Sequence, residues 1–595
     1  MKLAVARILE EHHVASGVGI AVVTKDRILW TGGFGKADVA ANRDVTGDTM
    51  FRVGSITKSF VALAALQLAE QRRLDLNLKV SEVAPEIPIV NPWKATNPVT
   101  LAQLLEHTAG FDDFSLAEFH DFKAPPEQPL RWTLTHFTEP ERVRWKPGSR
   151  MSYSNPGYGL AGYIIERVAG VRIEDYIAAN ILRPVGMASS DIRLTPAVKA
   201  QLAQGYEDDS VAPYHPMYLR PAGEMKTSPN EMARFLRMML NRGELDGVRI
   251  VTPESIARME TPETPLAARA GLKIGYGLGN FTDLAHPLIR RGHDGRLDGF
   301  ISRYAYIPEA GVGYFFSLNG YAERVPGAID DLLYNFVTRE SRKPDPPPAV
   351  PLDNAASSWT GYYEDASPRH AKFKFLNLLT GGQWVSIKDH DIYVKPMLGE
   401  SHRLVPVGPK LFRSMSATAA GTIFATDDRG QAVMVATIPP NNSVSVYYER
   451  ASGTWAIARL MLVGGAIAAM LSSIAFAAVW IPRLIFGRIR RARHFSVRIV
   501  PLASALVFVA AFLPQSNVTP MELAKPNLVP LTLFLGSYLF VALSMVSAVI
   551  ALRSFRWKVN WVVRLHSLLV TIACVGMTAY LSYWGMIGFR TWAPQ

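Results

Sequence analysis

The stretch Phe51-Arg52-Val53-Gly54-Ser55-Ile56-Thr57-Lys58 places a serine three residues before a lysine, and an apolar run over residues 60–68 follows. If this run is helical, positions i and i+3 lie on one face, so the Ser55 hydroxyl and the Lys58 amine can meet. A neutral amine there would take the serine proton, as in a Ser-Lys nucleophile. A serine with lysine at +3 is expected about once by accident in a chain of this composition, so the pair alone decides nothing.

Two further stretches offer the other groups that a Ser-Lys hydrolase needs. Tyr153-Ser154-Asn155 combines a phenol, whose phenolate a nearby lysine cation would favour, with an amide that both donates and accepts hydrogen bonds. Arg291-Gly292-His293-Asp294-Gly295-Arg296 has a glycine on each side of a histidine, which suits an edge strand that lines a cleft. Taken alone, either stretch is typical of an ordinary loop or turn.

The octapeptide 51–58 resembles the nucleophile motif of the serine β-lactamase and penicillin-binding protein superfamily, in particular its class C-like branch. Further landmarks of that branch follow in the same order, and so many ordered matches cannot reasonably be chance. They are Leu104-Leu105-Glu106-His107-Thr108-Ala109-Gly110, Pro147-Gly148, Tyr153-Ser154-Asn155, Gly157-Tyr158, Pro184-Val185-Gly186-Met187, Pro221-Ala222-Gly223-Glu224-Met225 and Tyr276-Gly277-Leu278-Gly279. The resemblance implies an α+β fold, in which helices flank an antiparallel sheet beside an all-helical lobe.

The same resemblance implies a role for each residue of the first two motifs. Ser55 would be the acylated nucleophile, and its own backbone N–H would form half of the oxyanion hole. Lys58 and Tyr153 would share the work of general base and general acid. Asn155 would hold the acyl-side amide of the substrate. The resemblance implies no metal and no organic cofactor.

The third motif departs from the pattern of the β-lactamases. By resemblance His293 takes the place of the lysine in the family's Lys-Thr-Gly triad, Gly295 lines the substrate site, and the backbone N–H of Arg296 completes the oxyanion hole. Lysine is a fixed cation that suits the carboxylate of a β-lactam or a peptidoglycan peptide, whereas a neutral imidazole does not. This histidine therefore favours a peptidase or an esterase over a dedicated β-lactamase.

The chain has 595 residues, which suggests three or four structural units. Residues 1–342 alternate strand-like and helix-like patterns and form the predicted hydrolase domain. A proline-rich linker over residues 343–356 follows, and residues 357–450 read as a small all-β domain of short alternating strands. Residues 456–590 form a predicted membrane domain of about four transmembrane helices.

The membrane prediction rests on four apolar stretches, of which three exceed the ~20 residues needed to cross a bilayer and the second is near the lower limit. They cover residues 456–481, 497–513, 528–552 and 562–584. The net charge of +12 lies largely beside these stretches, which indicates membrane topology and not nucleic-acid binding. The single cysteine, Cys574, excludes a disulfide framework.

The loops between the apolar stretches predict their orientation. The first and third loops carry clusters of arginine and lysine, whereas in the second Lys525 is balanced by Glu522. The positive-inside rule then predicts a multi-pass protein of the bacterial inner membrane whose hydrolase domain faces the periplasm or exterior. Residues 1–11 show no secretory signal, so we expect that the true start lies upstream; the alternative is an inverted topology.

These observations together predict a membrane-anchored serine hydrolase, which transfers an acyl group from its substrate to water. A peptidase for D-amino-acid or N-acylated peptides comes first, because the order of domains resembles peptidases that activate acylated prodrugs. An esterase comes second, and a β-lactamase or D,D-carboxypeptidase third. The non-enzymatic alternative is a penicillin-binding sensor or receptor, which would need a cytoplasmic effector domain that the short predicted loops do not offer. The expected partners are a small-molecule or peptide substrate and the lipid bilayer.

Overall fold

A six-stranded antiparallel sheet lies at the centre of the N-terminal region in the computed structural model, which describes residues 1–119, 127–136, 141–207, 210–322, 324–437, 445–486, 494–514 and 520–593. The strands are β1 (Val18–Thr24), β2 (Ile28–Phe34), β3 (Phe281–Asp283), β4 (Arg290–Leu297), β5 (Phe300–Ile307) and β6 (Val312–Leu318). They lie side by side in the order β3-β4-β5-β6-β1-β2.

Helices cover both faces of this sheet. The longer ones are α1 (Lys2–Glu11), α2 (Thr57–Glu70), α3 (Asn155–Ala169), α4 (Pro229–Leu240) and α5 (Val325–Thr338). Successive side chains of β1 alternate between two hydrophobic cores: Ile20 and Val22 pack with α1 and α5, and Ala21 and Val23 pack with α2 and α4. Strand β1 is apolar throughout because neither face of the sheet meets solvent at this point.

Helix α2 is the central helix of the region. Its residues are buried from Thr57 to Leu68, as expected of a helix that is apolar all round. Phe60 packs on Phe235 of α4 with ring centres 4.6 Å apart. The predicted α+β fold, with an antiparallel sheet and flanking helices, is confirmed.

Shorter elements connect the sheet and the long helices. The helical ones are Gly54–Ile56, Val80–Val83, Leu101–Leu105, Leu116–Phe119, Leu130–Thr135, Ile173–Ile177, Ala178–Leu182, Arg183–Val185, Pro196–Gln201, Arg220–Gly223, Pro253–Glu260, Leu266–Arg269 and Pro308–Ala310. Small antiparallel strand pairs include Phe51–Arg52 with Lys226–Thr227, and Glu244–Leu245 with Val248–Arg249.

A closed eight-stranded barrel follows, after residues 342–353, which form neither helix nor strand. Trp359, Phe412 and Phe424 fill its core, and the rings of Trp359 and Phe424 stack 5.1 Å apart. One helix, α6 (Lys374–Thr380), lies between the first two strands. The barrel strands are β7 (Gly361–Asp365), β8 (Gln383–Lys388), β9 (Asp391–Pro396), β10 (His402–Pro406), β11 (Leu411–Arg413), β12 (Thr422–Thr426), β13 (Ala432–Thr437) and β14 (Ser445–Ala451).

The C-terminal region is helical. Its long helices are α7 (Gly453–Ile485), α8 (Ser496–Phe512), α9 (Leu528–Ser554) and α10 (Trp561–Tyr583), and a short helix spans Pro520–Leu523. Three of them, α7, α9 and α10, are long and apolar enough to cross a membrane. Helix α8 has 17 residues and packs among the others through Ala505, so a fourth span remains a prediction. Most of the predicted first basic cluster lies at 487–493, outside the described residues.

A stretch of the barrel, which we call the docking segment (residues 366–380), contacts the hydrolase region at its start. The carbonyl oxygen of Pro368 accepts hydrogen bonds from Arg144 Nη1 at 2.8 Å and from Ser152 Oγ at 3.1 Å. The backbone N–H of Ala371 donates to the Asp112 carboxylate at 3.1 Å. The barrel therefore rests on the loops that precede helix α3.

The other end of the docking segment contacts the C-terminal helices. The Phe373 ring lies 6.1 Å from that of Phe589, and the Phe375 ring lies 6.2 Å from that of Tyr580, centre to centre. Arg459 on α7 donates to the Leu378 carbonyl of the segment, and also to Glu364 of β7 at 2.7 Å. One short stretch of chain thus joins the hydrolase region, the barrel and the helical bundle.

Candidate active site

The turn that carries Ser55 is held from both sides. The Thr57 hydroxyl donates to the Gly54 carbonyl at 2.7 Å and accepts from the Met225 N–H at 3.0 Å, while the Val53 N–H donates to the Met225 carbonyl at 3.0 Å. Gly54 has a φ of 53°, a left-handed conformation that glycine adopts without a steric cost. Ser55 is consequently presented at the start of helix α2.

Lys58 lies against Ser55, as the i, i+3 spacing predicts. Its Nζ donates to Ser55 Oγ at 2.9 Å, to Asn155 Oδ1 at 2.8 Å and to the Ala222 carbonyl at 2.5 Å. Burial lowers the pKa of Lys58 well below 10.5; Asp113 opposes this shift and the Arg369 cation adds to it. Burial therefore favours the neutral amine, whose two hydrogens suffice for Asn155 and Ala222 and whose lone pair then faces the Ser55 hydroxyl, as a general base requires.

Tyr153 completes the group around the nucleophile. Its ring centre lies 4.9 Å from Lys58 Nζ, and the Ser55 hydroxyl is near enough to act on the pKa of its phenol. Burial raises the pKa of Tyr153 above 10.0, against the Ser55 hydroxyl and the Arg369 cation, which both lower it. The net shift is opposite to the phenolate stabilisation expected from the sequence, and it favours Tyr153 as a proton donor with Lys58 as the base.

Asn155 is bound at both ends of its amide. Its Oδ1 accepts from Lys58, while Nδ2 donates to Asp113 Oδ1 at 3.0 Å and Oδ2 at 3.2 Å, and its backbone N–H donates to Oδ1 at 2.9 Å. Because a carboxylate only accepts, these contacts fix which amide atom faces Lys58. The sequence suggested a contact with substrate; the geometry favours a positioning role for Asn155 towards Lys58. Asp113 itself was not identified from the sequence.

His107 packs against the ring of Tyr153. It has a φ of 57°, its ring lies 4.0 Å from the Tyr153 ring, and its Nδ1 accepts from the Ser154 N–H at 3.1 Å. Burial and the Lys58 cation lower its pKa well below 6.5, so His107 is neutral. The sequence placed His107 in a family landmark but assigned it no role; its contacts fix the backbone that carries Tyr153 and Asn155.

His293 lies in the cleft wall as a neutral imidazole. Its Nδ1 donates to the Asp294 carbonyl at 2.5 Å, so Nε2 accepts the hydroxyl of Tyr276 at 2.7 Å. Burial and the positive charge of a protonated Lys58 together lower the pKa of His293 to about 3. Both ring nitrogens are occupied, so His293 offers no positive charge to a substrate carboxylate.

Gly295 and Arg296 bring strand β4 against the nucleophile. A Cβ on Gly295 would lie 1.8 Å from the Val53 carbonyl oxygen, and a Cβ on Gly54 would lie 2.7 Å from the Arg296 backbone nitrogen. Only glycine allows so close an approach of the two backbones. The Ser55 and Arg296 N–H groups are thus on neighbouring segments, as an oxyanion hole requires. The Arg296 side chain points elsewhere, over the ring of Tyr321.

Arg369 reaches this site from the docking segment. Its Nε donates to Asp113 Oδ2 at 2.6 Å, and its guanidinium carbon lies 4.7 Å from the Tyr153 ring centre. Asp113 and the Tyr153 phenol raise the pKa of Arg369 against the effect of burial, so the side chain is a permanent cation. It lies 256 positions from Asp113, and nothing local in the sequence marks it.

A possible metal-binding group lies away from Ser55. His286, Asp330 and Asp331 bring three potential ligand atoms within 4.8 Å of one another. Asp330 already accepts from Arg290 at 2.7 Å and from Arg303 at 2.5 Å. Its charge is therefore compensated by the protein, and this group does not indicate a metal site.

The fold and this site define a protein of the β-lactamase and transpeptidase-like class. A sequence model of the beta-lactamase family matches residues 5–337, which is more than half of the chain. The chain belongs to the beta-lactamase family, whose members are serine hydrolases, and the predicted superfamily is confirmed.

Two curated relatives each match more than half of the chain. Protein flp of Staphylococcus aureus (strain NCTC 8325 / PS 47) is 27% identical over 337 residues, which are 56% of this chain and 65% of flp. The unguisins hydrolase ungD' of Aspergillus campestris (strain IBT 28561) is 28% identical over 385 residues, which are 61% of this chain and 67% of that protein.

Two solved structures resemble the overall fold. The octameric penicillin-binding protein homologue from Pyrococcus abyssi superimposes with a TM-score of 0.48 at 23% identity, over 75% of this chain and 99% of that one. The crystal structure of SurE with D-Leu gives a TM-score of 0.46 at 19% identity, over 76% of this chain and 98% of that one.

Proposed function

We propose that the protein is a membrane-anchored serine hydrolase that cleaves an amide or an ester through an acyl-enzyme on Ser55. The observation that carries the proposal is the 2.9 Å contact between Lys58 Nζ and Ser55 Oγ, in a site where burial lowers the pKa of Lys58. A neutral amine at this distance takes the serine proton, and the alkoxide that forms attacks a carbonyl carbon. Membership of a family of serine hydrolases supports the same reading.

Each step of the proposed reaction uses a residue of the candidate active site. The oxyanion forms between the backbone N–H groups of Ser55 and Arg296, beside strand β4. Tyr153, which burial keeps protonated, gives a proton to the leaving amine or alcohol as its bond to the acyl carbon breaks. Lys58 replaces the phenol proton. Water then attacks the acyl-enzyme and loses its proton to the same pair. That proton passes to Ser55 Oγ as its bond to the acyl carbon breaks, and the acid is released.

The substrate that we propose first is a peptide with a D-amino acid or an N-acyl group. The neutral His293 supports a peptidase or an esterase over a β-lactamase, because the third motif lacks the fixed cation that suits a β-lactam carboxylate. The curated relative named as an unguisins hydrolase supports hydrolysis as the reaction. An esterase is the second candidate, and a β-lactamase or D,D-carboxypeptidase the third.

For the location, we propose the bacterial inner membrane with the hydrolase region outside the cytoplasm. Helix α7 begins directly after the barrel, and the end of α10 packs on the docking segment, so these ends of the bundle share the side of the hydrolase region. The basic residues Arg483 and Arg553 lie in the last turns of α7 and α9, at the opposite ends. The positive-inside rule then assigns the basic side to the cytoplasm.

Labelling with a fluorophosphonate tests the nucleophile. Wild-type protein should be labelled, and the Ser55→Ala variant should not, because the probe needs an activated serine hydroxyl. Ser358→Ala, at an exposed serine of the barrel, is the matched control and should be labelled at the wild-type rate. Labelling retained in Ser55→Ala would overturn the assignment.

Turnover distinguishes an enzyme from an acylated sensor. A panel of D- and L-aminoacyl amides, short-chain esters and nitrocefin, presented to the full-length protein in detergent, should give sustained release of product with at least one amide. One equivalent of product per protein, followed by a stable acyl-enzyme on Ser55, would instead support the sensor.

A further inference from the structure

We propose that Arg369, which the barrel contributes to the cleft of the hydrolase region, binds a carboxylate of the substrate close to the scissile bond. The inference rests on the proposed function, because it names the substrate class that the Ser55 site accepts. That class comprises amides whose acidic side chain or free C-terminal carboxylate lies within one or two residues of the bond that is cleaved.

The hydrogen bonds of Arg369 leave part of its guanidinium unoccupied. Nε donates to Asp113, whereas Nη1 and Nη2 have no hydrogen-bond partner within the part of the chain that the structure describes. The side chain is 53% exposed. Two amino groups of one guanidinium match the two oxygens of a carboxylate, and such bidentate pairs are short and specific.

The position of Arg369 brings a bound carboxylate near the reacting atoms. The guanidinium carbon lies 4.7 Å from the centre of the Tyr153 ring, and Tyr153 is close enough to Ser55 for the serine hydroxyl to lower the pKa of the phenol. With the radius of the phenol ring and the reach of its hydroxyl added, Ser55 lies within about 10 Å of the guanidinium, so a carboxylate one or two residues from the scissile bond can reach Arg369.

Asp113 does not neutralise Arg369 for this purpose. The Asp113 carboxylate also accepts from the Asn155 N–H at 2.9 Å, from Asn155 Nδ2 at 3.0 Å and from the Phe114 N–H at 3.0 Å. Its charge is shared among several donors, and its contact with Arg369 uses Nε alone. Asp113 therefore orients the guanidinium through one edge and leaves the two outer amino groups available to a ligand.

Arg369 also supplies what the third motif lacks. His293 is neutral, and burial disfavours the charged form of Lys58. Three charged side chains near Tyr153 act on its pKa. Arg369 is a cation, whereas Asp113 and Asp294 are anions. A substrate carboxylate is consequently held on the Asp113 side of the cleft, and not at the β4 position where the lysine-bearing relatives would hold it.

A purely structural role for Arg369, as a latch between barrel and hydrolase, is the competing interpretation. Other contacts already join the two units: Arg150 Nη1 donates to the Ala366 carbonyl at 2.8 Å, and Lys146 pairs with Asp428 at 2.9 Å. The variant Lys146→Ala removes an exposed ion pair of the same interface and serves as the matched control. A latch would affect charged and uncharged substrates equally.

The test uses full-length protein in detergent with two matched pairs of substrates: D-Glu against D-Gln p-nitroanilide, and D-Ala-D-Ala against D-Ala-D-Ala amide. Wild type should prefer the carboxylate member of at least one pair in kcat/KM. Arg369→Gln and Arg369→Ala should reduce that preference about tenfold or more, mainly through KM, since one contact to a charged group is lost. Arg369→Lys should retain part of the preference, and Lys146→Ala all of it.

A second measurement makes the result decisive where turnover is slow. The four compounds are tested as competitors of Ser55 labelling by an uncharged fluorophosphonate. Carboxylate members should protect wild type better than their amides, and the difference should disappear in Arg369→Gln. The inference would be overturned if wild type turned over the carboxylate and amide members of both pairs equally and both members protected it equally. It would also be overturned if the Arg369 variants lost activity equally towards both members of a pair. If the inference fails but Ser55 is still labelled, the proposed serine hydrolase function is unaffected. If Ser55 is not labelled at all, both the inference and the proposed function are refuted.

Discussion

Lys58 Nζ donates to Asn155 Oδ1 at 2.8 Å, so the base of the site is held by the first residue of helix α3 as well as by the nucleophile. The contact continues through Asp113 to Arg369. A chain of hydrogen bonds therefore runs from the barrel to Ser55, and the charges along it set the protonation of Lys58.

The pH dependence of acylation should respond to both charges in this chain. The rate of Ser55 labelling should rise with pH as Lys58 loses its proton, and then become constant. Arg369→Gln removes a cation that lowers the pKa of Lys58, so the rise should move to higher pH. Asp113→Asn removes an anion that raises it, so the rise should move to lower pH.

These two shifts of opposite sign identify Lys58 as the titrating group. The other ionisable side chains that face it carry pKa values displaced by burial and stay neutral over the same range: His107, Tyr153, Tyr158 and His293. Unchanged profiles, or shifts in the same direction for both variants, would contradict Lys58 as the base.

Gly295→Ala should strongly slow acylation without unfolding the protein. The new Cβ would lie 1.8 Å from the Val53 carbonyl oxygen, so strand β4 has to move away from Ser55 and the oxyanion hole opens. Loss of one oxyanion donor costs about 10²–10³ in rate. The measurement is the labelling rate at equal folded fraction, checked by thermal unfolding.

The matched control for that variant is Gly327→Ala in helix α5. A Cβ there meets no atom within 4 Å, and the residue is helical. Alanine should raise the free energy of unfolding by about 0.5–1 kcal/mol and leave labelling unchanged. Wild-type labelling by Gly295→Ala would show that the close approach of β4 is not needed.

Asp330→Asn should destabilise the hydrolase region by about 1–3 kcal/mol, because the buried Arg290 and the partly buried Arg303 lose a shared anion and are left with Asp283 and Asp294. Asp330 accepts from Arg290 at 2.7 Å, from Arg303 at 2.5 Å and from the Tyr314 hydroxyl at 2.6 Å. Asp331→Asn, at a neighbouring carboxylate that is 66% exposed, is the control and should change little. Thermal unfolding of both variants measures the difference.

The effect of Asp330 should depend on pH in a stated direction. Burial alone would raise its pKa, but Arg303 and Arg290 lower it below the ordinary 3.8. A carboxylate with a lowered pKa stabilises the fold above the pKa of its unfolded state, and that contribution is lost as the pH falls through the folded value. The gap between wild type and Asp330→Asn should therefore narrow in acid; a gap that widens there would contradict the ion pairs.

Cysteine labelling tests the proposed orientation. In a Cys574→Ala background, a cysteine at Lys343 should react with a membrane-impermeant maleimide from the periplasmic side, and one at Arg556 only after lysis. Both positions are exposed, so access to reagent is limited by the membrane alone. The reverse pattern would support the inverted topology.

Part of the site follows from local sequence because its residues are close along the chain. Ser55 and Lys58 are one helical turn apart, and Tyr153 and Asn155 flank the start of α3, so residue type and spacing identify them. Asp113 and Arg369 could not be found in this way. Their contact joins positions 256 residues apart, and it exists only because the docking segment lies on the loops before α3.

The protonation states of the site could not be predicted without the structure. From sequence, Tyr153 beside a lysine suggested a stabilised phenolate, but burial next to other aromatic rings raises its pKa instead.

Closure of the barrel could not be predicted either. Short alternating strands predicted an all-β region, whereas closure depends on pairing of the first strand with the last, as in Tyr362 with Ala451. Burial and long-range pairing are properties of the packed chain.

The docking segment sets the height of the reaction centre above the helical bundle. Arg369 touches the cleft, and Phe373, four positions on, packs against Phe589, so at most about 14 Å of chain separates them. For the membrane location that we propose, this short tether would hold the reaction centre close to the bilayer surface. An amphiphilic substrate that partitions into the lipid would then reach Ser55 by lateral diffusion in two dimensions.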